Sequence, residues 1–146
     1  MDLIEVELAR VVIQQKGEQQ YIHLREIGGA QRSFPIVIGF HEIEEINRKL
    51  NGVQAPRPLT HDLVGRLVKE LGWRITRVVV TELSEGTFFA NLVLLPADPA
   101  ASKAAEYERH VDCRPSDAIA LAVQTGARMF VARDVLDVVA PGPGNA

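Results

Sequence analysis

Apolar and polar residues alternate with a period of two through the first third of the chain, and this alternation predicts three strands. They run from Leu3 to Gln15, Tyr21 to Ile27 and Phe34 to Ile38, in stretches rich in β-forming residues. Gly17 and the Gly28-Gly29 pair mark the turns between them. From Phe40 the period lengthens, and Phe40, Ile43, Ile46 and Leu50 share one face of a helix reaching Asn51. Its other side carries Glu44 with Arg48 and Glu45 with Lys49, acid first at i,i+4, and reads as a solvated face. Gly52 supplies the stop, and Pro56 and Pro58 forbid helix in the segment that follows.

Thr60 suits an N-cap for a second helix ending near Leu71, with Leu63, Val64, Leu67, Val68 and Leu71 as its apolar stripe. Arg74 to Leu83 and Thr87 to Leu95 are strands around the hairpin turn Ser84-Glu85-Gly86. The small and polar stretch from Pro96 to Lys103 reads as an exposed loop, and Tyr107 to Cys113 as another strand. Pro115 fits the first turn of a helix that continues to Thr125 and stops at Gly126. Within it, Ala118 to Val123 is apolar all the way round, the mark of a helix buried on most sides. Met129 to Ala132 reads as a short buried strand and Asp134 to Val139 as a last helix. The Pro141-Gly142-Pro143-Gly144 run predicts a disordered tail over residues 141–146. No linker divides the rest, so the expectation is a single compact α+β domain over residues 1–140, a mixed or antiparallel sheet with about four helices.

Composition narrows the function classes. A chain of 146 residues can bury one sizeable core, and no apolar run approaches the roughly 20 residues that cross a bilayer. The acidic start lacks the basic region of a signal peptide, and one cysteine fits a reducing compartment, so the cytoplasm is expected. The net charge of −3 lacks the basic excess of a dedicated duplex binder. A phosphate-bearing ligand must therefore be held by a few positioned groups.

Two segments supply such groups. In Arg57-Pro58-Leu59-Thr60-His61-Asp62 and Arg114-Pro115-Ser116-Asp117, Arg-Pro leads into a helix whose first turn carries a hydroxyl and an aspartate. Free N–H groups and the positive dipole end at such a turn favour an anion, and arginine adds a forked cation suited to phosphate. Arg57, Thr60, Arg114 and Ser116 are thus candidate substrate-binding residues. The same hydroxyls and aspartates also serve as ordinary caps. His61 is a candidate general base on water or a 2′-hydroxyl, its neutral form favoured by the dipole and Arg57 and opposed by Asp62; a surface role is the alternative. Asp62, Asp112 and Asp117 complete the candidate catalytic set and, with oxygen donors, could hold a hard cation such as Mg2+. No zinc pattern, P-loop or GxGxxG is present, and Cys113, Trp73, Phe88 and Phe89 read as packing residues.

Four segments together are more specific. Phe34-Pro35-Ile36-Val37-Ile38-Gly39, Arg57 to Leu63, Gly86-Thr87-Phe88-Phe89-Ala90 and Val111 to Ala122 resemble the bifunctional nuclease domain in order and spacing, over roughly residues 3 to 140. Cys113 stands where that family usually has a small residue such as alanine. The resemblance implies an α+β fold, homo-oligomers, and cleavage of both DNA and RNA, with nucleic acid as the substrate. The alternative is a non-catalytic oligomeric module in which the same corners bind a small anionic ligand or a protein partner. Apolar strands in a small domain also leave edges to cover, so self-association is expected. Light scattering at micromolar concentration should give a dimer or larger species; a clean monomer counts against it.

Overall fold

The computed structural model describes residues 2–15, 17–98, 100 and 107–142. It contains seven strands and four helices: β1 Leu3–Val12, β2 Gln20–Glu26, β3 Ser33–Ile38, α1 Phe40–Leu50, α2 Thr60–Glu70, β4 Trp73–Ser84, β5 Thr87–Pro96, β6 Arg109–Cys113, α3 Pro115–Thr125, β7 Arg128–Ala132 and α4 Arg133–Val139. This is the α+β domain expected. The predicted strand Leu3 to Gln15 ends at Val12, because the buried Gln20 side chain occupies the turn, accepting from Gln14 N–H and donating to the carbonyls of Gln15 and Glu18. The predicted loop from Pro96 to Lys103 and the predicted tail fall largely outside the described residues.

The seven strands form one sheet in the order β3-β2-β1-β7-β4-β5-β6. Two antiparallel meanders, β1 to β3 and β4 to β6, are joined by β7, which runs antiparallel to β1 and parallel to β4. The mixed sheet thus arises at one central strand. Alternation sends Val6, Ile22, Leu24, Ile36, Val80 and Val131 to one face, where they meet Ile43 and Ile46 of α1 and Ile119 of α3. The opposite face holds ion pairs, including Glu5 with Arg128 and Glu7 with Arg25.

Helix α3 buries Ser116 and every residue from Ala118 through Ala122, as its all-round apolar sequence requires. Ile119 and Ala120 pack in the cluster with β1 to β3 and α1, while Ala118, Leu121 and Ala122 pack with Val78, Ala90 and Leu92. One helix therefore joins both halves of the core. Its alanines let the sheet and the outer helices approach closely, and Gly126, at φ 75°, ends it in the left-handed region.

Helix α2 departs from the expected orientation. Leu63, Leu67 and Leu71 are 52%, 52% and 74% exposed, and His61 is the buried residue of this helix. The stripe read from the sequence has split: Val64 packs against the core near Ala118 and Leu121, and the leucines face outward. Gly65 is the reason. A Cβ there would lie 2.4 Å from the Gln124 Nε2, so this bare backbone face leaves room for the side chain that reaches across from α3.

Truncating the buried Ile119 removes contacts with the cluster of β1 to β3 and α1 and should cost about 2–5 kcal/mol, whereas Leu67→Ala, on the exposed row, should cost less than about 1 kcal/mol. Denaturant midpoints of the two variants check this, and comparable losses would mean that the leucine row is covered in solution.

Candidate functional site

The first turns of α2 and α3 meet through His61. As the second residue of α2, it points inward, with Nδ1 2.6 Å from Glu45 Oε2 on α1 and Nε2 2.9 Å from Asp117 Oδ1 on α3. One imidazole thus ties three helices together. A neutral ring carries a single N–H and can donate to one carboxylate; the charged ring donates to both. Both nitrogens of the candidate base therefore face acids. Glu45 Oε1 is buried without a hydrogen-bond partner among the described residues, with Lys49 Nζ 3.8 Å away.

Asp117 is the hinge between this histidine and arginine. Its carboxylate accepts from Arg114 Nε and Nη2, both at 3.2 Å, and from the Arg114 backbone N–H at 3.3 Å. Burial alone would push its carboxyl up, but the hydrogen bonds from Arg114 and His61 outweigh it and hold the group below the usual carboxylate range. Arg114 also lies 3.6 Å from Glu42, and its guanidinium is largely exposed.

Asp62 does the equivalent work at α2. It accepts from the Leu59 backbone N–H at 2.9 Å and from Lys49 Nζ at 2.8 Å, and the lysine bond, then the backbone bond, hold its carboxyl below the ordinary value. Lys49 also donates to Gln124 Oε1, while Gln124 Nε2 donates to the backbone carbonyl of His61. A second ring of contacts thereby fixes the first turn of α2.

The two corners are similar but offset. The helix N-caps are Leu59 and Arg114, and neither makes a side-chain cap bond. Thr60 and Ser116, expected as caps, sit instead inside the first turns, Thr60 exposed and Ser116 buried. The capping contact comes from Asp62 and Asp117, which reach back to the cap N–H from the third helical position. Arg114 is itself a cap residue, whereas Arg57 stands two residues before one and lines a cavity with Lys49 and Asp62.

Asp112 is not brought to the cluster. Its neighbour Cys113 packs on the helix side of the sheet, so alternation along β6 sends the exposed Asp112 to the other face. Asp62, Asp112 and Asp117 therefore do not converge as a ligand set, and among the described residues no three acids, histidines or cysteines are grouped to hold a metal ion. Burial, with the nearby charges of Asp117 and Asp112, pushes the Cys113 thiol up to about 12, which suits an inert packing residue.

Glu45 and Lys49 are the site residues that sequence reasoning missed. Their i,i+4 spacing read as solvated, yet their side chains are 13% and 10% exposed because α1 packs against α3 and faces α2. One signal was available: α1 carries two acid–base pairs on adjacent faces, and a helix covered on two sides must bury one of them.

The fold and this three-helix constellation carry the motifs of one family. The bifunctional nuclease domain pattern matches residues 22–141, most of the chain, and the chain belongs to that family. Its relatives include the uncharacterized proteins MT1877 and Rv1829 from two strains of Mycobacterium tuberculosis. Each is 36% identical over 134 residues, covering 90% of this chain and 73% of the relative. No described helix is long and apolar enough to cross a membrane.

The two depressed carboxylates predict an acid response. Asp62 and Asp117 have ordinary values of 3.8 and lower values when folded, so their stabilisation is complete above about pH 4 and is lost as pH falls through the folded values. Acid unfolding of Asp62→Asn should show a shallower pH dependence below pH 4 than the parent, at lower stability near neutrality. An unchanged acid limb would remove Asp62 from the linkage.

Proposed function

We propose that this protein is a phosphodiesterase that cleaves DNA and RNA. The reading is supported by membership of the bifunctional nuclease domain family and by one geometric observation: His61 is held between Glu45 and Asp117, with the Arg114 guanidinium at the exposed edge. Glu45, the more enclosed acid, orients the ring from Nδ1, which leaves Nε2 as the atom for proton transfer.

In this reading Arg114 binds the scissile phosphate, and the incoming anion competes for the guanidinium that Asp117 otherwise occupies. His61 Nε2 takes the proton of an attacking water as the water oxygen bonds to phosphorus and the bond from phosphorus to the leaving oxygen breaks; Asp117 accepts the Nε2–H meanwhile, and the charged imidazole then gives that proton to the leaving oxygen. Arg57 binds a neighbouring phosphate from the cavity side. Ser116 and Thr60, in the two first turns, provide hydroxyl and backbone donors. Asp62 positions the first turn of α2 through Lys49 and Leu59. No step is assigned to Asp112 or to a cation, and a divalent-ion titration of activity decides whether Mg2+ takes part. We also propose that the protein self-associates, with the exposed leucine row of α2 available for burial.

The other reading, a non-catalytic module holding a small anionic ligand, is favoured by the fact that both His61 nitrogens already have partners.

Arg114→Ala should lower kcat/KM for phosphodiester cleavage about ten- to hundred-fold, the loss of a charge-assisted bond of roughly 1.5–3 kcal/mol. Arg114→Lys should recover part of it, since an ammonium cannot reproduce the two-pronged contact. Full activity per folded molecule with a lower melting temperature would make Arg114 structural only. His61→Gln should cost about 10²–10⁴-fold in rate on nuclease-free preparations. Retained cleavage by that variant would overturn the proton-transfer role.

Gly65→Ala separates positioning from stability. The new methyl displaces the Gln124 amide, which is the far end of a flexible side chain, so stability should change by less than about 1 kcal/mol, helix propensity offsetting the lost hydrogen bonds. Activity should fall more than stability does, because His61 loses its backbone tether; equal activity would mean that the tether is dispensable.

A further inference from the structure

Next to the His61 cluster, a cavity of about 570 Å3 is walled by the end of α1, the segment 52–58, one side of α2 and the last turn of α3. Among the described residues five cations line it, Arg48, Lys49, Arg57, Arg66 and Lys69, against a single carboxylate, Asp62. Lys49 is engaged by Asp62 and Glu45, and among the described residues no carboxylate lies within ion-pair distance of the other four. Elsewhere among the described residues Arg25, Arg32, Arg77, Arg114, Arg128 and Arg133 each hold a carboxylate, and Arg10, Arg74 and Arg109 do not.

A chain of net charge −3 has thus gathered unpaired cations into one concavity. Arg66 and Lys69 stand at i,i+3 on α2, a like-charge pair that weakens the helix by a few tenths of a kcal/mol. An anion in the cavity offsets that cost and focuses the field of all five groups.

Size and lining identify the kind of anion. The volume is that of a pocket for a drug-sized ligand, roughly 300–1,000 Å3. That accommodates about one or two nucleotides of a single strand and is too small to enclose a duplex. No aromatic side chain lines the cavity, so it offers no stacking platform for bases. Recognition falls on phosphates, which DNA and RNA share, and not on the bases or the 2′-hydroxyl.

We infer that this cavity holds the phosphate backbone of a single-stranded nucleic acid, DNA or RNA alike, beside the His61 cluster. The inference rests on the nuclease reading for the identity of the anion. Arg66 and Lys69 become strand-binding residues, remote from the proton-transfer atoms.

Fluorescence anisotropy with labelled, cleavage-resistant phosphorothioate strands of about a dozen nucleotides, DNA and RNA, tests it on the full chain. The two strands should bind within a few-fold of each other and at least about tenfold more tightly than the matching duplex. Arg66→Ala combined with Lys69→Ala alters exposed side chains, so folding is retained, and a melting curve verifies this. The double variant should lose about tenfold in affinity, and the slope of log K against log salt should flatten by about 1.4, from two contacts of ~0.7 each on a single strand. Unchanged affinity and slope, or a duplex bound as tightly as the strands, would overturn the inference. So would adenosine monophosphate displacing the strand as well as an unlabelled oligonucleotide at equal phosphate concentration, which marks a small-anion site. Cleavage of an unmodified strand by the parent protein is scored separately. Strand binding that depends on Arg66 and Lys69 without cleavage sustains this inference and removes the nuclease reading. Cleavage with binding indifferent to those residues does the reverse.

Discussion

The burial of α3 is the constraint on which the rest of this structure depends. A helix apolar on every side has to be enclosed, and here the sheet covers one side while α1 and α2 cover the others. Enclosure fixes the position of its polar beginning, so Arg114 and Asp117 emerge at a defined edge of the core. Its end leads directly into β7, the strand that joins the two meanders. Core, sheet order and site geometry are therefore consequences of one packing requirement.

The charge network at that edge is a means of closing three helices around polar groups. Glu45, His61 and Asp117 come from α1, α2 and α3, and each would be costly to bury alone. Together with Lys49, Asp62 and Gln124 they satisfy one another, apart from one oxygen of Glu45. Such a network specifies how the helices meet more than it adds stability, since desolvation consumes most of the electrostatic gain. It also leaves Arg114 and, in the cavity, Arg57, Arg66 and Lys69 exposed, where an incoming anion can reach them. An acidic protein can in this way present a local cationic site without a basic surface.

Much of the fold was legible in the sequence because local rules and global packing agree there. Alternation in β1 to β5, the Gly-punctuated turns and the all-round apolar α3 each reflect burial that the final structure keeps. The pairing of Arg-Pro segments with first-turn aspartates was also visible, and Asp62 and Asp117 do close both helix ends. By itself, then, the sequence determined the element types, the buried helix and the family.

Tertiary structure decided which side of each helix faces inward. Periodicity marks a stripe on α2 but does not say what will cover it, and Gly65 with His61 won the inner face over Leu63 and Leu67, where the bare backbone leaves room for the Gln124 amide to reach the His61 carbonyl. Glu45 and Lys49 were read as solvated because an i,i+4 ion pair has the same spacing on a wet surface as between helices. Asp112 stood one residue from Cys113 in the sequence, yet strand alternation put the two on opposite faces. Contacts between residues far apart in the chain have no local signature, and the His61 cluster, built across 72 residues from Glu45 to Asp117, is made almost wholly of such contacts.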